Sequence, residues 1–189
     1  MSLARHPPPM TLAEFLAWEE RQELRHEFDG FAPIAMTGGP RAHETIAVNL
    51  LIALGNRLRG GPCRAYGSNL KIEVAGRIRY PDGFVTCAGP GAPGDTVERS
   101  PVVVFEVLSE GTQTVDRTDK RASTGRRRRS SARSCSSRRA AATVYAREGD
   151  AWIVTLLFRG DTLSMPEVGA EIPLDELHTG LDLDGPPAA

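Results

Sequence analysis

The sequence has no long hydrophobic run. No apolar stretch in its 189 residues approaches the roughly 20 that a membrane-spanning helix needs. Residues 1–10 also lack the apolar centre of a secretory signal, and their prolines predict a disordered leader instead. We therefore expect no membrane partner.

Cysteine is scarce. The three cysteines are Cys63, Cys87 and Cys135, an odd number in which no pair has the spacing of metal ligands. This pattern argues against a disulfide framework and against a zinc site. It predicts a reduced, cytoplasmic protein.

Acidic residues are missing from one segment. Between Arg121 and Arg139 there are eight arginines and no Asp or Glu, which leaves 15 basic against 24 acidic residues in the rest of the chain. An acidic body with one basic segment is not the pattern of a uniformly basic nucleic-acid-binding protein.

The remaining composition is ordinary for a folded domain. Hydrophobic residues make up 40% and charged residues 25%, and we find no internal repeat. The length predicts one domain, which we place at residues 11–178, followed by a tail at 179–189.

Helices and strands are mixed along the chain. Thr11 and Glu14 form a capping-box pattern that predicts the start of the first helix. The predicted helices cover residues 11–23, 40–58 and 115–122. The predicted strands are a hairpin turning at Asp29-Gly30, then residues 63–74, 77–87, 102–108, 141–146, 151–158 and 162–165. This order predicts an α/β or α+β domain with a mixed sheet.

Two carboxylates interrupt apolar strands. Asp82 follows Pro81 within residues 78–85, and Glu106 ends the run 101–105. A carboxylate in so apolar a context is costly unless it is paired or binds a metal. On adjacent strands the two would form a hard-oxygen site for Mg²⁺ or Mn²⁺. The alternative is a Pro-Asp-Gly turn at Asp82 and an Arg partner for Glu106.

Two further polar residues, considered alone, have no predicted functional role. Glu27 lies on the strand that enters the first hairpin, and a lone Glu there is typical of a solvated position. His43 falls in the first turn of the long helix, where a surface histidine is the ordinary interpretation.

Six short motifs in order resemble a known family. They are Thr-Leu-Ala-Glu-Phe-Leu from Thr11, His-Glu-Phe-Asp-Gly from His26, a His opening a long apolar helix, Tyr-Pro-Asp from Tyr80, Val-Phe-Glu-Val-Leu-Ser from Val104, and Asp-x-x-x-Lys from Asp116. Together they resemble the Uma-type restriction endonucleases, small bacterial proteins of the PD-(D/E)XK nuclease superfamily. The resemblance covers residues 11–122 and resumes at 141–177, and it implies a restriction-endonuclease-like mixed sheet flanked by helices, often in a dimer.

The resemblance also implies roles for residues. Asp82 and Glu106 correspond to the metal-binding acids, and Glu27 to an upstream acid that completes the metal cluster. The usual lysine place two residues beyond Glu106 holds a leucine, so the lysine would come from the next helix as Lys120. His43 matches a recurrent histidine with a positioning role.

These residue types suit phosphodiester hydrolysis. A divalent ion held by carboxylates makes a bound water nucleophilic and stabilises charge on the phosphoryl oxygens. A nearby lysine can orient that water or stabilise the transition state. The resemblance thus implies a Mg²⁺- or Mn²⁺-dependent endonuclease acting on DNA, and the family's dimers make a homodimer the expected partner. The alternative is a degenerate or non-enzymatic relative that binds nucleic acid.

Residues 124–139 depart from the family pattern. This Arg/Ser-rich segment has no apolar periodicity, so we expect it to contribute no core face. One hypothesis is a reading-frame disturbance confined to it, motivated by the abrupt loss and return of family-like sequence. Resequencing the gene tests this, and an unaltered reading with the same arginines in close relatives would contradict it. The other hypothesis is a genuine Arg/Ser arm that binds nucleic acid.

Overall fold

The computed structural model describes residues 9–36, 38–108, 131–136, 141–148 and 151–182. Within these ranges the chain forms three helices and thirteen strands. The helices are α1 (Leu12–Glu19), α2 (Arg41–Leu58) and α3 (Leu174–Leu177). The strands are β1 (His26–Phe28), β2 (Pro33–Ala35), β3 (Arg64–Gly67), β4 (Lys71–Val74), β5 (Arg77–Arg79), β6 (Gly83–Thr86), β7 (Val97–Glu98), β8 (Pro101–Leu108), β9 (Ser131–Ser136), β10 (Ala141–Glu148), β11 (Ala151–Phe158), β12 (Thr162–Met165) and β13 (Ala170–Pro173). None of the helices described is long and apolar enough to cross a membrane.

Three sheets hold these strands. A five-stranded sheet has the order β2-β1-β5-β4-β7, a six-stranded sheet the order β11-β10-β9-β8-β6-β3, and β12 pairs with β13. Both larger sheets are mixed, because β4–β7 and β8–β9 are parallel whereas the other pairs are antiparallel. The predicted class, a mixed sheet flanked by helices, is confirmed.

The first helix and hairpin follow the local signals. Thr11 accepts the N–H of Glu14, and the Glu14 carboxylate accepts the N–H of Thr11, which completes the predicted capping box. The helix ends at Glu19, four residues before the predicted end at residue 23. Asp29 accepts the N–H groups of Phe31 and Ala32, which closes the turn between β1 and β2.

The two strands predicted at 63–74 and 77–87 are each divided. The Ala75-Gly76 turn joins β4 to β5 as expected, with both residues at positive φ. However, β3 and β6 pair with each other in the six-stranded sheet, while β4 and β5 belong to the five-stranded sheet. The chain therefore crosses between the sheets at residues 68–70 and returns at residues 80–82. Asp82 lies on this second crossover and not inside a strand.

The main core lies between α2 and the six-stranded sheet. Buried residues of α2 such as Leu50 and Leu54 pack against Val85, Val103 and Phe105. Val48 and Ile52 of the same helix are exposed, because the helix turns only one apolar stripe toward the sheet.

Small residues let α2 approach the sheet. Gly67 and Gly83 face each other across β3 and β6. A Cβ atom on Gly67 would lie 2.9 Å from Leu51, and one on Gly83 would lie 3.3 Å from Leu50. The two glycines thus leave the space into which the leucines of α2 fit, at the end of β6 next to Asp82.

Cys63 and Cys87 form a disulfide that follows the β3–β6 pairing. The prediction of reduced cysteines is therefore wrong for this pair. The two cysteines are 24 residues apart in sequence, which does not indicate their distance in space. The antiparallel register pairs Arg64 with Thr86, and it therefore places Cys63 opposite Cys87.

The Arg/Ser-rich segment contains a strand. Residues 131–136 form β9, which runs parallel to β8 and antiparallel to β10 in the middle of the six-stranded sheet. The sequence predicted no strand between residues 109 and 140, which is wrong for these six residues. Other predicted features lie outside the described residues: most of the leader at 1–10, the helix at 115–122 with Lys120, the rest of the 124–139 segment, and the tail beyond residue 182.

Candidate active site at the crossover between the sheets

Asp82 is held by contacts from two other elements. Its Oδ2 atom accepts the backbone N–H of Val107 in β8 at 2.6 Å, and it lies 3.2 Å from Nε2 of His43 in α2. The side chain is 16% exposed, so it is reachable from solvent but largely enclosed. Asp82 thus lies where the crossover, β8 and the start of α2 meet.

Glu106 lies beside Asp82. The register of β6 and β8 pairs Gly83 with Phe105, so the next step of the antiparallel ladder brings residue 82 toward residue 106. The negative charge of Glu106 also contributes to the electrostatic environment of His43. The expectation that adjacent strands bring the two carboxylates near each other agrees with this register.

His43 is more than a surface histidine. Its hydrogen bond to Asp82 raises the pKa of the imidazole, and the negative charges of Asp82, Glu44 and Glu106 add to the effect, whereas burial opposes it. Gly39 makes room for the ring, since a Cβ there would lie 3.0 Å from Cγ of His43. The imidazole is therefore fixed against Asp82 and favoured in its charged form.

Glu27 has different partners. One carboxylate oxygen accepts the backbone N–H of Tyr80 at 3.0 Å, and the other lies 3.6 Å from Nη1 of Arg79. Glu27 is therefore partly buried and bound, in contrast to the solvated position that the residue suggested alone. Its contacts place it against the crossover before Asp82.

A buried polar cluster continues from this point. The hydroxyl of Tyr80 donates to Glu19 at 2.8 Å, and Nζ of Lys71 donates to the other oxygen of Glu19 at 2.7 Å. Burial and the hydrogen bond to Glu19 raise the pKa of Tyr80 well above its ordinary value. Tyr80 belongs to the Tyr-Pro-Asp motif but had no predicted role, and neither did Glu19.

The structure brings together three of the five predicted site residues. Asp82, Glu106 and His43 are neighbours. Glu27 contacts Tyr80, two residues before Asp82, and Lys120 lies outside the described residues. In the part of the chain that is described, no three His, Cys, Asp or Glu side chains form a group that could hold a metal ion.

Three basic side chains, those of Arg57, Lys71 and Arg79, have acidic partners. Lys71 and Arg79 are buried and contact Glu19 and Glu27, and Arg57 pairs with Glu176 at 2.7 Å. These side chains stabilise the interior and the packing of α2, so they are not a surface for a phosphate backbone.

Comparison with known proteins identifies the family. The model of the Uma2 family, described as "Putative restriction endonuclease", matches residues 12–172. This chain belongs to the Uma2 family. A relative among curated proteins, an uncharacterized protein of Synechocystis sp., is 31% identical over 178 residues, which cover 92% of this chain and 94% of that protein.

A solved structure supports the fold of this Uma2 chain. It is that of a protein of Anabaena variabilis described as a "putative nuclease belonging to DUF820". The two share 14% sequence identity with a TM-score of 0.73, and the match covers 90% of this chain and 98% of the other. At this identity the likeness establishes the restriction-endonuclease-like fold, and the family match connects it to nucleases.

Proposed function

We propose that this chain is a divalent-metal-dependent endonuclease that hydrolyses phosphodiester bonds in DNA. The observation that carries the proposal is the position of Asp82. It lies beside Glu106 across the β6–β8 pairing, with His43 against one of its oxygens. The family description, a restriction endonuclease, supports the reaction class.

The donor atoms fit a magnesium or manganese ion. Oδ2 of Asp82 is occupied by Val107 and His43, whereas Oδ1 has no partner among the residues that the structure describes. Mg²⁺ is commonly bound by one or two carboxylates, with water and substrate phosphate as the other ligands. Asp82 and Glu106 therefore suffice as the protein ligands, and a group of three acids is not required.

Each residue has a defined task in this scheme. A bound divalent ion would supply a more acidic water and stabilise charge on the phosphoryl oxygens. His43 fixes the orientation of the Asp82 carboxylate, and the raised pKa of its imidazole favours the charged form that donates to this carboxylate. Lys120 is proposed to stabilise the developing negative charge of the phosphoryl group.

The start of α2 favours an anionic substrate. The helix has 18 residues, begins after Pro40 without a side-chain cap, and carries Arg41 at its first position. Its positive end lies next to Asp82 through His43. Glu44 also lies in this first turn. The helix end still favours an anionic group placed against it, which supports a phosphodiester substrate. The homodimer implied by the resemblance stays a prediction, which light scattering on the purified protein checks.

Plasmid cleavage tests the function. Supercoiled DNA is incubated with the wild-type chain and with Asp82→Asn, in Mn²⁺, in Mg²⁺ and in EDTA. Glu23→Gln serves as a control, since it removes one carboxylate from an exposed position of the same domain. We expect nicking by wild type and by Glu23→Gln that needs the metal, and none by Asp82→Asn. Absence of cleavage by all three proteins would favour a non-enzymatic nucleic-acid-binding protein.

A further inference from the structure

The position of Asp82 depends on its neighbours in the crossover. Residues 80–82 form no strand, so sheet hydrogen bonds do not fix this segment directly. Val107 and His43 hold the side-chain carboxylate of Asp82. In the backbone, the preceding residue is Pro81, which has no N–H to donate. The backbone N–H of Tyr80 is therefore the last amide before Asp82 that can anchor the chain.

Glu27 is the acceptor for that amide. Its Oε1 atom takes the Tyr80 N–H, and the Glu27 side chain is 14% exposed. The Tyr80 hydroxyl is held at the same time by Glu19, which pairs with the buried Lys71. Tyr80 is thus anchored at its backbone and at the end of its side chain, so it cannot shift without breaking a buried hydrogen bond.

The second oxygen of Glu27 is also engaged. It lies 3.6 Å from Nη1 of Arg79, whose side chain is 7% exposed and donates to the carbonyl groups of Phe28 and Ile78. The guanidinium group of arginine keeps its charge in proteins. A buried guanidinium such as that of Arg79 therefore needs a negative charge nearby. A metal ion at Glu27 would compete with the Tyr80 amide and with this guanidinium.

We propose that Glu27 is a positioning residue, which holds Asp82 in place for the metal through the amide of Tyr80, and not a third metal ligand. This inference rests on the proposed function. Glu27 would then hold the backbone next to Asp82, whereas in a cluster of three acids it would bind the metal ion directly. The two roles predict different responses to a change from carboxylate to amide.

Manganese binding, measured by titration calorimetry, separates the roles. Glu27→Ala removes the acceptor for Tyr80, and we expect Mn²⁺ to bind about 10- to 100-fold more weakly, the usual loss for a residue that orients a ligand. Glu27→Gln keeps an oxygen for the Tyr80 amide. We therefore expect it to restore most of the affinity, to less than about tenfold below wild type.

A double variant guards against misfolding. Glu27→Gln leaves Arg79 buried without its counter-charge, which destabilises a protein strongly. Glu27→Gln combined with Arg79→Met removes both charges and keeps the acceptor for Tyr80. We expect this protein to fold, as circular dichroism would report, and to bind Mn²⁺ like Glu27→Gln.

The outcomes are distinct. If both amide variants lose Mn²⁺ as severely as Glu27→Ala and Asp82→Asn do, Glu27 is a ligand and the inference is overturned. If Glu27→Ala binds Mn²⁺ as wild type does, Glu27 has neither role and the inference is again overturned. A wild-type chain that binds no Mn²⁺ at all would contradict the proposed function and this inference together.

Discussion

Asp82 accepts a hydrogen bond from the backbone N–H of Val107, so the crossover is joined directly to the strand that carries Glu106. The contact is short, at 2.6 Å, as expected for a charged acceptor. The backbone of β8 and the imidazole of His43 therefore orient the Asp82 carboxylate together. Substitutions around the site should act by moving these groups.

A methyl group at Gly39 should disturb the site. The Cβ of Gly39→Ala would lie 3.0 Å from Cγ and 3.1 Å from Nδ1 of His43, so the imidazole must shift by a few tenths of an ångström, which disturbs its contact with Asp82. We expect plasmid cleavage to fall about 10- to 100-fold, the range for residues that orient a metal ligand. Gly38→Ala is the matched control, because nothing lies within 4 Å of its Cβ. Equal activity of the two variants would show that the position of His43 does not matter.

Removal of the Asp82 charge should abolish stabilisation by metal. A ligand that binds only the folded state raises its stability, by about 2.7 kcal/mol at a concentration 100 times the dissociation constant. We expect Mn²⁺ to raise the unfolding temperature of wild type and of Glu23→Gln but not of Asp82→Asn. Differential scanning fluorimetry with and without EDTA measures this. A full shift in Asp82→Asn would place the ion elsewhere.

The proximity of Asp82 and Glu106 could be predicted from the sequence, because each carboxylate adjoins an apolar run that forms a strand. Their role as metal ligands stays a prediction. The crossover could not be predicted from the sequence. Residues 71–79 and 83–86 have the same β-type pattern, and nothing in that pattern says that β5 and β6 enter different sheets. His43 was also undervalued, since its partner is 39 positions away and its pairing depends on how α2 lies on the sheet.

The strand β9 marks another limit. Ser and Arg side chains supply no apolar period, so a pattern of hydrophobic residues cannot reveal a strand at Ser131–Ser136. Its place follows from backbone pairing with β8 and β10, which depends on the neighbours and not on its own side chains. The cysteine pairing was missed for the same reason, since strand register brings Cys63 and Cys87 together.

Stability should fall in acid because of Glu19. Burial alone would raise the pKa of this carboxyl, but the hydrogen bonds from Lys71 and Tyr80 and the charge of Lys71 outweigh it and lower the pKa below 4.5. A depressed pKa in the folded state contributes stability above the unfolded value, and that stability is lost as the pH falls through the folded value. We expect the urea concentration at the unfolding midpoint of wild type to decrease as the pH falls below 4.5.

Glu19→Gln is the control for that titration. It should be less stable at neutral pH by about 3–5 kcal/mol, because the charge of Lys71 stays buried without its partner. It should also show a smaller further loss in acid. If wild type and Glu19→Gln lose stability in parallel below pH 4.5, the acid sensitivity comes from other carboxylates.

Proline in the middle of β9 should unfold the domain. Ser134 pairs with Glu106 on one side and with Thr143 on the other, so its backbone lies inside the six-stranded sheet. Proline removes the N–H and is found in sheets almost only at edges, at bulges or at the first residue of a strand. We expect Ser134→Pro to lose cooperative unfolding in thermal circular dichroism, whereas Ser134→Ala, which keeps the N–H, should unfold cooperatively. A stable Ser134→Pro protein would mean that the Arg/Ser-rich segment is an arm outside the sheet, as one of the two hypotheses for residues 124–139 holds.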